Sequence, residues 1–125
     1  MIVIHCSDTP NGRPHDAAEL HRWHLERGWD GIGYHYVIKI DGSIEAGRPE
    51  YWTGSHVRGH NTGSIGICLI GRDEFTPQQY DALGTLVKYI NRGASYHRVV
   101  GHYELDSKKT CPNFDVQEWL TNGMA

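Results

Sequence analysis

No hydrophobic stretch in this chain approaches the roughly 20 residues that a membrane span requires; the apolar runs are short, such as "MIVI" at the start. Membrane insertion is therefore not expected. The opening "MIVIHCSDTP" also lacks a basic segment followed by an apolar core, so it does not read as a secretory signal. There are only three cysteines, an odd number that a disulfide framework cannot use completely, and at least one thiol needs another explanation. Phenylalanine occurs only twice. Basic residues are outnumbered, 12 against 15 acidic ones for a formal charge of -3, and they form no stripe, which removes the electrostatic footprint of a nucleic-acid binder. Internal repeats, low-complexity tracts and linkers are absent as well. The 125 residues fit one domain, 1–125, large enough to bury a core without disulfides.

Histidine is what the chain has in excess: nine, against seven tyrosines, a balance that points toward coordination or proton chemistry. At 38% hydrophobic and 22% charged residues the composition is that of a globular protein rather than a disordered one. "IVIH" at 2–5 reads as a strand and the turn-rich "SDTPNGRPHD" as a loop. A first helix is expected over about 16–27, with Asp16 and Glu19 in a capping-box pattern, Gly28 after its end, and Leu20, Trp23 and Leu25 inward. "YHYVIKI" at 34–40 reads as a strand, turned by Asp41-Gly42 into an antiparallel partner. "IGICLIG" at 65–71 reads as a buried central strand. A second helix has Thr76 as N-cap, Pro77 next, Gln79 closing the box, and Tyr80, Leu83, Val87 and Ile90 on one face. "RVVGH" at 98–102 is a last strand and "VQEWLTN" a short terminal helix. The order β, α, β, β, β, α, β implies an α/β domain, a central mixed sheet flanked by helices.

"GHYELDSKKTCP" places His102 and Cys111 nine positions apart near the end of the last strand. A catalytic zinc site takes three protein ligands and leaves a fourth position open, and no pair of CxxC motifs offers a closed structural site instead. His5, ending the first strand, is the best-placed third ligand, and two imidazoles with a thiolate suit Zn²⁺. On spacing alone the bland alternatives stand: a hydrogen-bonded strand histidine, a surface turn histidine and a small buried thiol.

Five segments then carry a resemblance: "IHCS" at the start, "GWDGIGYHYVIKIDGSIEAGR" at 28–48, "GSHVRGHNTGSIGICLIG" at 54–71, "FTPQQYDAL" at 75–83 and "GHYELDSKKTCPNFD" at 101–115. Together they resemble the zinc N-acetylmuramoyl-L-alanine amidases, most of all the small amidases of T-odd phages. The resemblance implies a peptidoglycan-recognition-protein-like fold. It also implies hydrolysis of the amide between N-acetylmuramic acid and L-alanine in bacterial peptidoglycan. It maps the ligands of one Zn²⁺ per chain onto His5, His102 and Cys111, and the catalytic pair onto Tyr34 and Lys109, with Lys108 an adjacent decoy. His56 matches a family position in "GSH"; with Asn61 it is expected to form part of the substrate groove. Tyr34 would orient or help deprotonate the attacking water and Lys109 would stand beside the oxyanion.

Recycling amidases of similar fold carry glutamate where this chain has Cys68 and aspartate where it has Cys111, which favours the phage type. Cys6 and Cys68 read as buried small hydrophobes. The expectation is a monomer accumulating in a host cytoplasm and reaching the wall after release. The alternatives are a peptidoglycan-binding module, a regulator of phage RNA polymerase, or an intracellular muropeptide-recycling amidase. The retained Cys111 argues against a silent receptor. Relatives that bind polymerase use an N-terminal extension, and the start at the first strand makes that role doubtful here.

Overall fold

A computed structural model describes residues 1–93 and 97–124. Among the described residues five strands form one sheet in the order β3-β2-β4-β1-β5. β1 spans Ile2–Cys6, β2 Tyr36–Ile38, β3 Ile44–Ala46, β4 Ile65–Leu69 and β5 Val99–Gly101. β1 runs parallel to both β4 and β5, and β2 parallel to β4, while the β2–β3 pair is antiparallel. The expected mixed sheet is what forms. Its hairpin closes as Gly42 turns with φ +87, Lys39 N–H donating to the Ser43 carbonyl at 2.9 Å.

β4 is buried along its whole length and lies at the centre of the sheet, as its continuous apolar run implies. Side chains alternate across a strand, so β1 and β4 divide their residues between two faces. Ile2, Ile4, Ile65, Ile67 and Leu69 pack with Leu83, Val87, Val116 and Trp119 from α2 (Pro77–Ile90) and α3 (Val116–Thr121). The opposite face holds Val37, Cys68 and Ile70 under Leu20 of α1 (Ala17–Glu26), with Val3, Val57 and Val100 beside them. His5 has the parity of Val3, so it belongs to this second face.

α2 matches its start signals in full. Thr76 accepts from Gln79 N–H, the Gln79 side chain returns to Thr76 N–H, and Phe75 meets Tyr80 with ring centroids 6.1 Å apart. In α1 the box closes halfway: Asp16 caps Glu19 N–H at 2.9 Å, but the Glu19 carboxylate turns to His15 Nδ1 at 3.1 Å. Leu25 is exposed rather than inward, because the stripe through Leu20 continues one turn on to His24, which is buried.

The strand expected over 34–40 is regular only at Tyr36–Ile38. Before it, Tyr34 and His35 keep backbone bonds to Arg48, Gly47 and Gly66 without regular strand geometry. β5 stops at Gly101, and His102 opens a single 3-10 turn over His102–Glu104 rather than ending the strand. Among the described residues no helix is long and apolar enough to cross a membrane.

Candidate active site

β1, β4 and β5 run parallel and end on the same edge of the sheet, and in open α/β sheets ligand sites gather at the carboxyl ends of strands. His5 is at the end of β1. His102 follows β5 directly, and Cys111 returns to β1, where Cys6 N–H donates to its Sγ at 2.9 Å. One ligand atom from each of His5, His102 and Cys111 lies within 4.8 Å of the others, the cluster expected from the sequence. The Nδ1 atoms of His5 and His102 face each other at 3.1 Å.

The donors suit a divalent cation. His5 is 1% exposed, and burial, followed by the neighbouring His56 and His102, lowers its pKa well below the usual histidine value, leaving a neutral ring with a lone pair to offer. His102 is lowered by burial and then by the Lys109 ammonium. The Cys111 thiol is pushed up by the Cys6 thiol and by burial, so its thiolate calls for a positive partner. Two nitrogens, each about 2.0–2.1 Å from a tetrahedral ion, stand roughly 3.3 Å apart, close to the separation found here.

The cluster opens into a cleft of about 820 Å³ that Tyr34, Lys109 and Asn61 also line. Tyr34 tilts against the His5 ring with centroids 5.2 Å apart. Burial, then the surrounding thiols of Cys68, Cys111 and Cys6, raises its pKa well above that of free tyrosine, which holds the phenol protonated. Lys109 stands on the cleft wall, whereas Lys108 is absent from it, its backbone N–H tied to Asp106 Oδ1 at 3.0 Å. Cys6, Cys68 and Cys111 are all free thiols, and Cys68 is fully buried.

His56 and Asn61 reach the cleft, where both ring nitrogens of His56 and the side-chain oxygen of Asn61 are engaged by the protein itself. His56 is 8% exposed; its Nδ1 meets His5 Nε2 at 2.9 Å and its Nε2 meets Ser64 Oγ at 3.1 Å. Asn61 Oδ1 accepts from the backbone N–H of both His56 and Val57 at 2.9 Å. Both ring nitrogens of His56 thus already have partners within the protein. Arg27, Trp29 and Arg58 also line the cleft, and nothing in their local spacing flags them. The Arg27 guanidinium sits 5.8 Å from the Trp29 ring centroid, within cation–π range.

A mixed sheet with helices on both faces, opening a His–His–Cys cluster at its strand ends, defines a protein of the amidase and peptidoglycan-recognition class. The family model described as N-acetylmuramoyl-L-alanine amidase matches residues 1–114, and the chain belongs to that family; it is an amide hydrolase. The endolysin of Escherichia phage T7 is 40% identical over 128 residues, covering 94% of this chain and 83% of that protein. Among solved structures, the N-acetylmuramoyl-L-alanine amidase LysC from Clostridium intestinale superposes with a TM-score of 0.87 at 31% identity, covering 98% of this chain and 83% of that one. Drosophila PGRP-LB follows at TM-score 0.82 and 30% identity, covering 94% of this chain and 77% of its own.

Proposed function

We propose that residues 1–125 form one catalytic domain that uses a single Zn²⁺ to cut the amide between N-acetylmuramic acid and L-alanine in bacterial peptidoglycan, as a phage-type endolysin. The observation that carries the metal is the convergence of His5, His102 and Cys111 from three separate points of the chain. Family membership and the similarity to the phage T7 endolysin support the substrate. The thiols at Cys68 and Cys111, where recycling amidases of this fold carry carboxylates, favour the endolysin reading.

His5, His102 and Cys111 would hold the ion. When bound, Zn²⁺ supplies Lewis acidity, which polarises a carbonyl and lowers the pKa of water to about 7. Tyr34 keeps its phenol proton and projects from the wall beside His5, so its role is to orient the attacking water and the scissile carbonyl by hydrogen bonding. Lys109 brings an ammonium to the rim, where it offsets negative charge growing on the carbonyl oxygen as the carbon becomes tetrahedral. Buried His5 and His56 form the cleft floor. Asn61 contributes to the groove wall through its side-chain amide nitrogen. Substrate is met at the wall after release from the cell in which the protein is made, and the protein acts as a monomer.

Turbidity loss on bacterial cell walls, abolished by a chelator and restored by zinc, tests the proposal together with analysis of the products. New alanine amino termini are expected. Freed reducing sugars in their place would identify a glycosidase, and lysis indifferent to chelation would remove the metal.

A further inference from the structure

From His5 of the cluster two side chains, His56 and Ser64, continue inward. Ser64 is 5% exposed, and its Oγ lies 2.7 Å from the His60 carbonyl oxygen and 3.0 Å from that of Asn61. Carbonyl oxygens only accept, so the single Ser64 hydroxyl hydrogen is committed to them. Toward His56 Nε2, 3.1 Å away, Ser64 Oγ is then an acceptor and His56 must supply the hydrogen. A buried ring with no carboxylate among its partners has no reason to be a cation, so His56 carries its one proton on Nε2 and offers a lone pair at Nδ1. That lone pair meets His5 Nε2 at 2.9 Å, which sets the proton of His5 on Nε2. His5 Nδ1 is left bare, and it is the atom that faces His102.

The ring that transmits this choice has no room to turn. A Cβ on Gly66 would stand 2.6 Å from His56 Cγ, and one on Gly54 would stand 2.6 Å from His56 Cδ2, so two glycine backbones clamp it. Asn61 Oδ1 fixes the backbone on which it is mounted, accepting the N–H of His56 and of Val57. The His5 and His56 rings meet edge to face at 90°.

We propose that Ser64 and His56 form a directional hydrogen-bond relay that locks His5 in its Nε2–H tautomer and aims its Nδ1 lone pair at the cation site, making His56 a positioning residue for the metal rather than a contact for substrate. This rests on the zinc reading above. Ligating histidines gain basicity and orientation from the partner of their second nitrogen, and losing that partner typically lowers metal affinity by about 10–100-fold. A histidine as that partner, oriented in turn by a serine committed to backbone carbonyls, fixes one tautomer without adding a negative charge.

Long-range proton–nitrogen correlation spectra of histidine-labelled, metal-free protein near neutral pH read the tautomers directly. Nε2–H is expected at both His5 and His56; Nδ1–H at either overturns the relay, whatever the variants do. Zinc affinity by chelator competition then separates hydrogen bonding from packing. His56→Leu removes the acceptor and should weaken zinc about 10–100-fold. His56→Asn puts an amide oxygen where Nδ1 stands and should recover most of it. Equal loss in both variants, or no loss in His56→Leu, overturns the relay while the unsubstituted protein still binds zinc. An unsubstituted protein that binds no zinc instead overturns the reading on which the relay rests.

Discussion

Lys109 and Cys111 stand two residues apart on one loop, yet their contributions separate. Cys111 Sγ reaches back to β1, accepting the Cys6 N–H, whereas Lys109 stays on the rim of the cleft. Cys111→Ser exchanges a soft thiolate for a hydroxyl that stays protonated, so elemental analysis should find most of the zinc gone and wall lysis lost with it. Lys109→Ala should keep full zinc and lose roughly 10²–10³-fold in turnover, the usual effect of removing one oxyanion donor. Lys108→Ala, outside the cleft, should change neither. Equal turnover in the Lys109 and Lys108 variants would remove the lysine from the mechanism. Cys111 was readable as a ligand type near a strand end, whereas Lys109 was marked only by the family resemblance, since by composition it is an ordinary surface lysine. The relay was not readable. "GSH" shows that a histidine occupies a loop before β4, but the direction of its nitrogens depends on Ser64, eight residues on, and on the space left by Gly54 and Gly66.

Elements announced by local chemistry appeared where expected, while those shaped by distant partners shifted. α2 begins on its capping box because Thr76, Pro77 and Gln79 interact with their own turn. Invisible in the sequence is that Gln79 is fully buried and also joins the helix to the sheet: its Nε2 donates to the carbonyls of Ile70 at 2.8 Å and Ile38 at 3.3 Å. Two substitutions tell these roles apart. Thr76→Ala removes the cap together with the hydroxyl's 2.7 Å bond to the Ile40 carbonyl, without burying a charge, and should cost about 1–2 kcal/mol in denaturant unfolding. Gln79→Glu keeps an oxygen for the cap but turns a buried carboxylate on two carbonyl oxygens, and should cost about 3–5 kcal/mol. Similar losses in the two would show that Gln79 acts only within its own turn. The same division explains the shortened β2. Alternation in "YHYVIKI" marks extended chain, but the bonds that bend Tyr34 and His35 out of regular pairing come from Gly47, Arg48 and Gly66. His24 was hidden in a similar way, since a polar residue on an inward stripe makes sense only once its partner is known.

That partner connects α1 to the whole molecule. His24 Nδ1 accepts the Gly33 N–H at 2.9 Å, and His35 Nδ1 accepts the Gly66 N–H at 3.0 Å while its Nε2 donates to the Trp52 carbonyl at 2.8 Å. Neutral imidazoles therefore fix backbone next to the segments that carry Tyr34 and lead into β4. A proton on either Nδ1 would set a donor against a donor. Burial, followed by the charges of Arg27, Arg48 and His21, lowers the His24 pKa from 6.5 to about 4, and burial lowers that of His35 as well. Between those two values the unfolded chain binds protons that the folded chain refuses, so stability must rise with pH across that window. The His24 contribution is complete above 6.5 and is lost as the pH falls toward 4. Melting temperature should thus be level just above neutrality and decline steadily below it. His24→Asn keeps an oxygen acceptor for Gly33 N–H without a group that titrates there, so its stability should fall over the same range with a slope smaller by about one proton. Parallel slopes for the two proteins would mean that His24 is already protonated in the fold, and that the Gly33 contact does not hold α1 against the cleft.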